Sequence, residues 1–409
     1  MKSNLRALPI VEQWDCHNCT SCCRETTIQL NPEDIIRLQQ QKWSEHPDYR
    51  EVPVMHRSAW LGGAWVLAHK PDGSCIFLTE AGRCRIHEQF GFDAKPHMCK
   101  LFPLQVVRTD RDACATTLRS CPSAAADRGR PLTQHLTSLK RMLGDDSERI
   151  SSATAPPVSR RSPSNWDDFH RLAETLQSLL TDDRLPLVRR VVHALRFCQL
   201  LDDSKWNRVR EESKPELIEL FTQLAYEGSG QLFENRQQPK RRTARLFRRL
   251  GAHFIRCVPG GPTTRSWSDH LRIWRLSGRL ARTSEVTPGL HPKFPPIAIA
   301  KLERPLGPLA AEVLRPLNRF FESHAASKRY TLSQPTRPLV ENLRRLAFAF
   351  PMSLWMLRWI AADREPTADD MVQIIVALER GLELRALSRA TSYLAESGEL
   401  ERLIAWYSR

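Results

Sequence analysis

The stretch "CHNCTSCC", Cys16 to Cys23, sets four cysteines within eight residues. Whatever the chain folds into must accommodate four crowded thiols near its start. In a small secreted domain such crowding supplies disulfides to a core too small to hold itself together. A chain of 409 residues, 41% of them hydrophobic, has no such need, and its length predicts two or three domains. The opening "MKSNLRALPIVEQWDC" has no apolar h-region and no small-residue cleavage site, so it does not read as a secretory signal. The most membrane-like stretch, "LAFAFPMSLWML" (Leu346 to Leu357), lies between Arg345 and Arg358 and is interrupted by Pro351. It falls well short of the roughly 20 apolar residues that a spanning helix needs. The expectation is a soluble, cytoplasmic protein with no transmembrane segment. In a reducing compartment crowded thiols point to metal or redox chemistry more than to disulfides.

The eleven cysteines are unevenly spread. Cys16, Cys19, Cys22, Cys23, Cys75, Cys84, Cys99, Cys114 and Cys121 fall in the first 121 residues, and only Cys198 and Cys257 in the remaining 288. The thiols therefore define an N-terminal module. Cys198, in "VVHALRFCQLL", and Cys257, in "HFIRCV", read as packing cysteines of apolar helical runs. Within the module, "NPEDIIRLQQQ" predicts a helix with Asn31 as N-cap, Pro32 at the first helical position, and Glu33 and Asp34 where they suit the helix dipole. "CIFLTEAGRCRIH" reads as two short strands joined by a turn at Glu80–Gly82, with Cys75 and Cys84 at matching places on the arms. "LQVVRTDRDACATTLRSC" repeats that pattern around a polar turn at Asp110–Asp112.

Thiolates are soft donors, and clusters of them select zinc, iron–sulfur clusters or copper(I). Two cysteines separated by two residues can turn both sulfurs onto one metal. Cys16, Cys19 and Cys22 match the C-x2-C-x2-C opening of a bacterial ferredoxin motif, in which a further cysteine from elsewhere is followed by proline. Cys121–Pro122 is such a distant pair. Spacing alone does not separate a four-iron cluster from zinc. Eight or nine thiols are enough for two four-ligand sites, or for one site with spare redox thiols. His17, His87 and His97 lie close by in sequence, and one of them could complete a Cys3His site. The thiols are numerous enough without them.

These residues resemble a known family. "CHNCTSCC", then "GSCIFL", then "GRCRIHEQFGFDAKPHMCKLFP" is similar to the CxxCxxCC family of zinc- or iron-chelating proteins, often called YkgJ-type. Its pattern is CxxCxxCC, a later C-x-F-L, then C-x-I-[YH] and [KR]-P-x-x-C-[KR]-x-F-P. Cys16, Cys19, Cys22, Cys23, Cys75, Cys84 and Cys99 fall on it, with Lys95, Pro96, Phe102 and Pro103. His87 stands where tyrosine is common, which argues against a ligand role for it. The following "LRSCPSAAADRG" resembles the S-C-P-x-A-A segment of flagellin lysine N-methylase-type relatives, which would add Cys121 as the eighth ligand. Cys114 has no counterpart in the pattern and is left as a reserve thiol. The resemblance covers about residues 10–130. It implies metal binding, with an iron–sulfur cluster as first choice and zinc as the other. Through the flagellin branch alone it implies methyl transfer from S-adenosylmethionine.

A Ser- and Pro-rich stretch, Ser147 to Asn165, reads as a linker. Beyond it, "NWDDFHRLAETLQSLLTD", "LPLVRRVVHALRFCQLLDD", "PELIELFTQLAYE", "PLGPLAAEVLRPLNRFFESH", "DDMVQIIVALERGLELRALSRATSYLAE" and "LERLIAWYSR" all keep apolar residues at helix spacing. The expected fold class is α+β. Residues 1–146 form a small, cysteine-rich, metal-stapled module with short hairpins and a helix, and 147–165 the linker. Residues 166–409 form a larger all-α domain.

Charge is localised. Residues 1–130 carry 17 Lys and Arg against 15 Asp and Glu. Between Arg236 and Arg282 there are 13 Lys and Arg, twelve of them Arg, and only Asp269 on the acidic side. Trp267 and Trp274 interleave with them. Arginine forks suit phosphates and carboxylates, so this segment fits nucleic acid, an anionic membrane surface, or an acidic protein partner or protein substrate. It equally fits a solvated basic face.

No cofactor cradle beyond the thiols is legible. The glycine groups "LGGAW", "YEGSGQ" and "VPGGPT" lack the G-x-G-x-x-G form. Cys19 and Cys23 open a C-x3-C-x2-C triplet, but Thr26 occupies its third place. P-loop and H-E-x-x-H motifs do not occur. The reading is therefore a metal-binding protein whose role is otherwise unassigned. The alternative is an enzyme, either an S-adenosylmethionine-dependent protein lysine N-methyltransferase or an iron–sulfur oxidoreductase.

Overall fold

The computed structural model describes the chain apart from residues 1–4, 59–61, 145, 147–149, 152, 228 and 262–266, and apart from the side chains of residues 25, 267–270 and 385. Part of the expected linker lies outside the described residues. So do Arg265 and the side chains of Trp267 and Asp269 in the arginine-rich segment, and parts of the three glycine groups.

The first part of the chain is built from short elements. In chain order they are β1 (Leu5–Ala7), β2 (Gln13–Trp14), α1 (Ser21–Glu25), α2 (Pro32–Gln40), β3 (Met55–Ser58), β4 (Ala64–Leu67), α3 (Arg85–Phe90), α4 (His97–Leu101), β5 (Leu104–Arg108), β6 (Ala113–Thr117), α5 (Pro122–Ala125), β7 (Arg130–Pro131) and α6 (Leu136–Leu143). β5 and β6 form the expected hairpin, and β1 adds in parallel to β6 to make a three-stranded sheet. β2 pairs with β7, and β3 with β4, both antiparallel. The α2 helix starts as its residues predict. The Asn31 side chain accepts from the Asp34 N–H, Asp34 answers to the Asn31 N–H, and Pro32 opens the helix.

"CIFLTEAGRCRIH" keeps the expected turn, but its arms form no full strands and Cys75 does not face Cys84. Cys75 bridges to His69 and Cys84 to Leu78, and the second arm becomes helix at Arg85. Across the turn the Thr79 N–H donates to the Arg83 carbonyl and the Arg85 N–H to the Phe77 carbonyl, so the arms pair only around the single Leu78–Cys84 bridge. Phe77 and Ile86 gain burial by this arrangement, joining Leu38, Trp43 and Tyr49 in one apolar cluster. A flat hairpin is outweighed by this packing.

Among the described residues thirteen α-helices follow: α7 (Trp166–Thr181), α8 (Leu187–Asp203), α9 (Lys214–Glu227), α10 (Gly230–Glu234), α11 (Arg241–Arg256), α12 (Trp267–Arg282), α13 (Ile299–Leu302), α14 (Ala311–Ser327), α15 (Arg329–Leu332), α16 (Leu339–Ile360), α17 (Ala368–Gly381), α18 (Arg385–Glu396) and α19 (Glu399–Tyr407). The fold is α+β, as expected. The run from Asp369 to Glu396 divides at Gly381. There the α17 backbone meets the Phe254 ring so closely that a Cβ on Gly381 would collide with it.

The stretch judged most membrane-like is the heart of α16. All its residues but the last are buried, and it packs against α8, α17, α18 and α19. A helix apolar on every side belongs in a core when its charges find partners there. Arg344 pairs with Asp202 at 2.7 Å, and Arg358 donates to the carbonyls of Arg304, Tyr407 and Arg409 at 2.8–3.0 Å. No helix among the described residues is long and apolar enough to cross a membrane. The described part of the Ser/Pro stretch straps onto this helix. The Pro157 and Val158 carbonyls accept from the Leu339 and Val340 N–H groups, two of the orphan donors at the start of α16. Val158 itself is buried in the main core.

One buried carboxylate joins the two parts. Glu12 accepts from Thr116 Oγ1, from the Thr117 N–H and Oγ1, from Arg119, and from Ser323 Oγ of α14 at 2.6 Å. Arg119 also reaches Asp127 at 2.7 Å and the Ala124 carbonyl. Burial alone would weaken the Arg119 charge, but Glu12 and Asp127 beside it hold its pKa above the ordinary guanidinium value.

Glu12→Ala leaves Arg119 half-compensated inside the protein and is expected to destabilise the fold by about 3 kcal/mol. Gly251→Ala, whose Cβ would stand 2.5 Å from Trp355 Cζ3, is expected to destabilise by about 1–3 kcal/mol through overpacking. Equilibrium denaturation checks both, and wild-type stability in either variant would contradict the packing described.

Candidate metal centre

The loop carrying the first cysteines is tightly folded. Asn18 and Thr20 both adopt the left-handed backbone region, at φ 51° and 60°. Asn tolerates this conformation, but a β-branched residue such as Thr pays for it in strain. Local bonds compensate: the Thr20 carbonyl accepts from the Cys23 and Arg24 N–H groups at 2.9 and 3.1 Å, and its hydroxyl from Arg24 Nε at 3.2 Å. The double reversal sets Cys16 and Cys19 on an exposed loop and Cys22 and Cys23 in the short α1 helix.

The other cysteines reach this loop from distant segments. The Cys75 N–H donates to the Cys23 carbonyl at 2.6 Å. Cys84 sits at the N-cap of α3, and the turn before it leans on Thr20, whose Cγ2 lies 3.3 Å from where a Gly82 Cβ would be. Cys99 lies in α4, which α2 holds in place. Arg37 donates to the Lys95 carbonyl, Gln41 to the Ala94 carbonyl, and Asp34 accepts from the His97 N–H. The Phe102–Pro103 peptide that follows is cis. Cys121 caps α5, near the Cys16 loop: His17 Nδ1 lies 2.9 Å from Ser123 Oγ of the same short helix.

The thiols feel one another in two adjoining groups. Burial pushes the Cys75 thiol up to about 11, with Cys84 and Cys22 adding to the shift. Cys99 is raised by burial, with Cys75, Cys84 and Cys22 adding and Lys95 opposing. Cys22 is raised by its contact with Cys23 and by burial, Lys95 again opposing. Cys22, Cys75, Cys84 and Cys99 thus share one neighbourhood, with Cys23 beside them, its sulfur 3.9 Å from that of Cys22. In the second group, burial raises Cys19, with Cys22 and Cys16 adding. Burial also pushes Cys121 to about 11, with Cys19 adding.

Among the described residues, no three His, Cys, Asp or Glu side chains close on a common point that could hold an ion. The sulfurs are neighbours rather than a finished coordination shell. Their chemistry nonetheless fits a soft metal. The donors are thiols, Cys75, Cys84 and Cys99 pack against the apolar Trp43–Phe77 cluster, and charging one thiol opposes charging the next. A cation among them would reverse that opposition. The Cys22–Cys23 separation is close to the edge of about 3.8 Å expected for a tetrahedral site with 2.3 Å bonds.

The remaining candidates stand elsewhere. His87 is exposed, its ring against Phe92, and the His97 backbone is engaged by Asp34. Cys114 lies on β6 beside Arg6 of β1, on the rim of a cavity that Lys328 also lines. Cys198 is wholly buried in the helical core, while Cys257 is half-buried at the end of α11, its sulfur 4.0 Å from His253 Nε2. Arg380 of α17 escaped the sequence reading. Its guanidinium donates to Ser21 Oγ at 3.2 Å and to the Ser120 carbonyl at 3.3 Å, one residue before Cys22 and Cys121 respectively. No local pattern marks it, since it looks like any other charge in "VALERGLE".

Residues 15–122 match the family model described as CxxCxxCC, putative zinc- or iron-chelating domain. The match spans all eight predicted ligand cysteines, from Cys16 to Cys121, and supports metal binding by zinc or iron. It does not bear on methyl transfer. No curated protein and no solved structure matches the chain significantly.

The raised thiols make metal binding a proton-releasing event. Cys19, Cys22, Cys75, Cys99 and Cys121 are protonated at neutral pH, whereas ligation requires thiolate. Zinc added to metal-free protein near pH 7.5 should release about one proton per recruited thiol, and its affinity should fall as pH drops. A pH-indicator titration measures this. Zinc uptake without proton release would exclude these thiols as ligands.

Proposed function

We propose that Cys16, Cys19, Cys22, Cys23, Cys75, Cys84, Cys99 and Cys121 hold a metal centre, an iron–sulfur cluster in preference to zinc. The observation that carries the reading is the convergence of Cys22, Cys75, Cys84 and Cys99, drawn from four separate segments, into one electrostatic neighbourhood. Iron is preferred because Cys16, Cys19 and Cys22, with Cys121–Pro122, follow ferredoxin-like spacing. When bound, a cluster of this kind supplies one-electron chemistry. Around it, Lys95 offsets the negative charge of Cys22 and Cys99, and Arg380 fixes the residues that precede Cys22 and Cys121. The helical body serves as the rigid mount and carries the contact with a partner.

Protein purified without oxygen should contain iron and sulfide and show a broad visible absorption that bleaches on reduction. Colourless protein with one or two zinc ions would favour a structural zinc staple instead. Cys19→Ser should lose metal and destabilise the cysteine-bearing part, because metal affinity and folding are coupled in such sites. Cys198→Ser should keep full metal content. Equal metal in both variants would refute the ligand assignment.

A further inference from the structure

A cavity lies along the contact between α11 and α12. It encloses about 700 Å³ and is walled by Arg249, Arg275, Arg279, Arg282 and Trp274. A second cavity of about 400 Å³ adjoins it, sharing Arg249 and Arg282 and adding Arg245. The two form one groove.

Its charges come in rows. Arg241, Arg245 and Arg249 recur every four residues on α11, and Arg275, Arg279 and Arg282 follow the same face of α12. Like charges four apart on a helix repel each other. None of these six arginines has a carboxylate within ion-pair distance among the described residues, in a chain where many other arginines do. Glu285 is the exposed acid nearest in sequence, three residues beyond Arg282. The repulsion is thus left for a ligand to relieve. Gly278 lines the groove, and a Cβ there would meet nothing within 4 Å, so the floor is open to a chain lying along it. Trp274 is 64% exposed, unusual for so large an apolar ring.

We propose that this groove binds single-stranded nucleic acid, with the arginine rows on its phosphates and Trp274 under a base. Arginines four apart on a helix lie about 6 Å apart along its axis, a regular ladder suited to a polymer with an anion on every unit. A concave trough admits a strand where a flat bilayer would not enter. An acidic peptide would satisfy the guanidinium groups but offers a flat ring to the exposed indole only where an aromatic residue falls, whereas every base does. Duplex DNA or RNA keeps its bases stacked and would use the phosphate contacts alone.

The test uses the full chain and a fluorescein-labelled oligothymidylate, read by anisotropy across a salt series. Binding should weaken with salt at a slope of about −0.7 per phosphate contact, so Arg249→Gln/Arg275→Gln/Arg279→Gln should lower the slope by about 2 and the affinity by more than tenfold. Trp274→Ala should lower affinity severalfold while leaving the slope unchanged, and should abolish the quenching of tryptophan fluorescence by the oligonucleotide. Circular dichroism and metal content confirm that the variants remain folded. The proposal is overturned if the triple variant binds like wild type, or if a duplex binds as tightly as the single strand. Capture of polyglutamate or phosphatidylserine vesicles without the oligonucleotide would also overturn it.

Discussion

A single buried carboxylate governs how the cysteines meet the helices. Glu12 lies four residues before Cys16, and its partner Arg119 two residues before Cys121. By gathering Thr116, Thr117, Arg119 and Ser323 around one side chain, Glu12 fixes both cysteine-bearing segments to the same point of α14. An unpaired charge in that place would be strongly unfavourable, so the two segments and the helix are ordered together or not at all. A second buried group stands beside it. Burial would raise the Glu379 carboxyl, but Arg329 and His324 hold it down at about 2. Three carboxylates, Glu12, Asp127 and Glu379, therefore share the Arg119 and Arg329 guanidinium groups across the junction.

The same logic explains the composition of the helical body. The α16 helix buries arginines as well as aromatics, and each buried guanidinium is spent on a carboxylate, a side-chain amide or a set of carbonyls. Small residues let the helices close on this axis. Gly251 admits the edge of Trp355, and Gly381 admits the ring of Phe254. Arginine thus plays different parts in one chain: hydrogen-bonded within the core in α16, and, at Arg241, Arg245, Arg249, Arg275, Arg279 and Arg282, without a carboxylate within ion-pair distance among the described residues. That contrast separates the structural use of the residue from a binding use.

Much of the helical part was legible from apolar spacing and caps. Asn165 caps α7 as its position suggests, and the β5–β6 hairpin turns at Asp110–Asp112. What escaped was what long-range packing decides. The Cys75–Cys84 segment has the residue types of a hairpin, yet the demand of Phe77 and Ile86 for the Trp43 cluster curls it and turns its second arm into helix. Pro351 and a run of apolar residues made α16 look like a failed membrane span, because a sequence shows length and polarity but not the partners that bury Arg344 and Arg358. For the site, spacing identified which thiols to consider. It did not reveal that they divide into two adjoining groups, because that division depends on how far α2 and α5 bring α4 and Cys121 toward the first loop.

The helix α17 shows why the site and the body are not independent. Glu379 and Arg380 are consecutive, so their side chains leave the helix about 100° apart. Glu379 faces His324 and Arg329 at the charged junction, while Arg380 faces Ser21 and Ser120 at the cysteine segments. A shift of α17 cannot improve one set of contacts without disturbing the other. The Arg380 guanidinium also donates to the Cys257 carbonyl at the end of α11, the helix that carries one arginine row of the groove. One rigid element therefore borders the charged junction, the cysteine segments and the base of α11. The placement of the thiols is consequently a property of the whole helical packing rather than of the eight-residue stretch in which four of them are written.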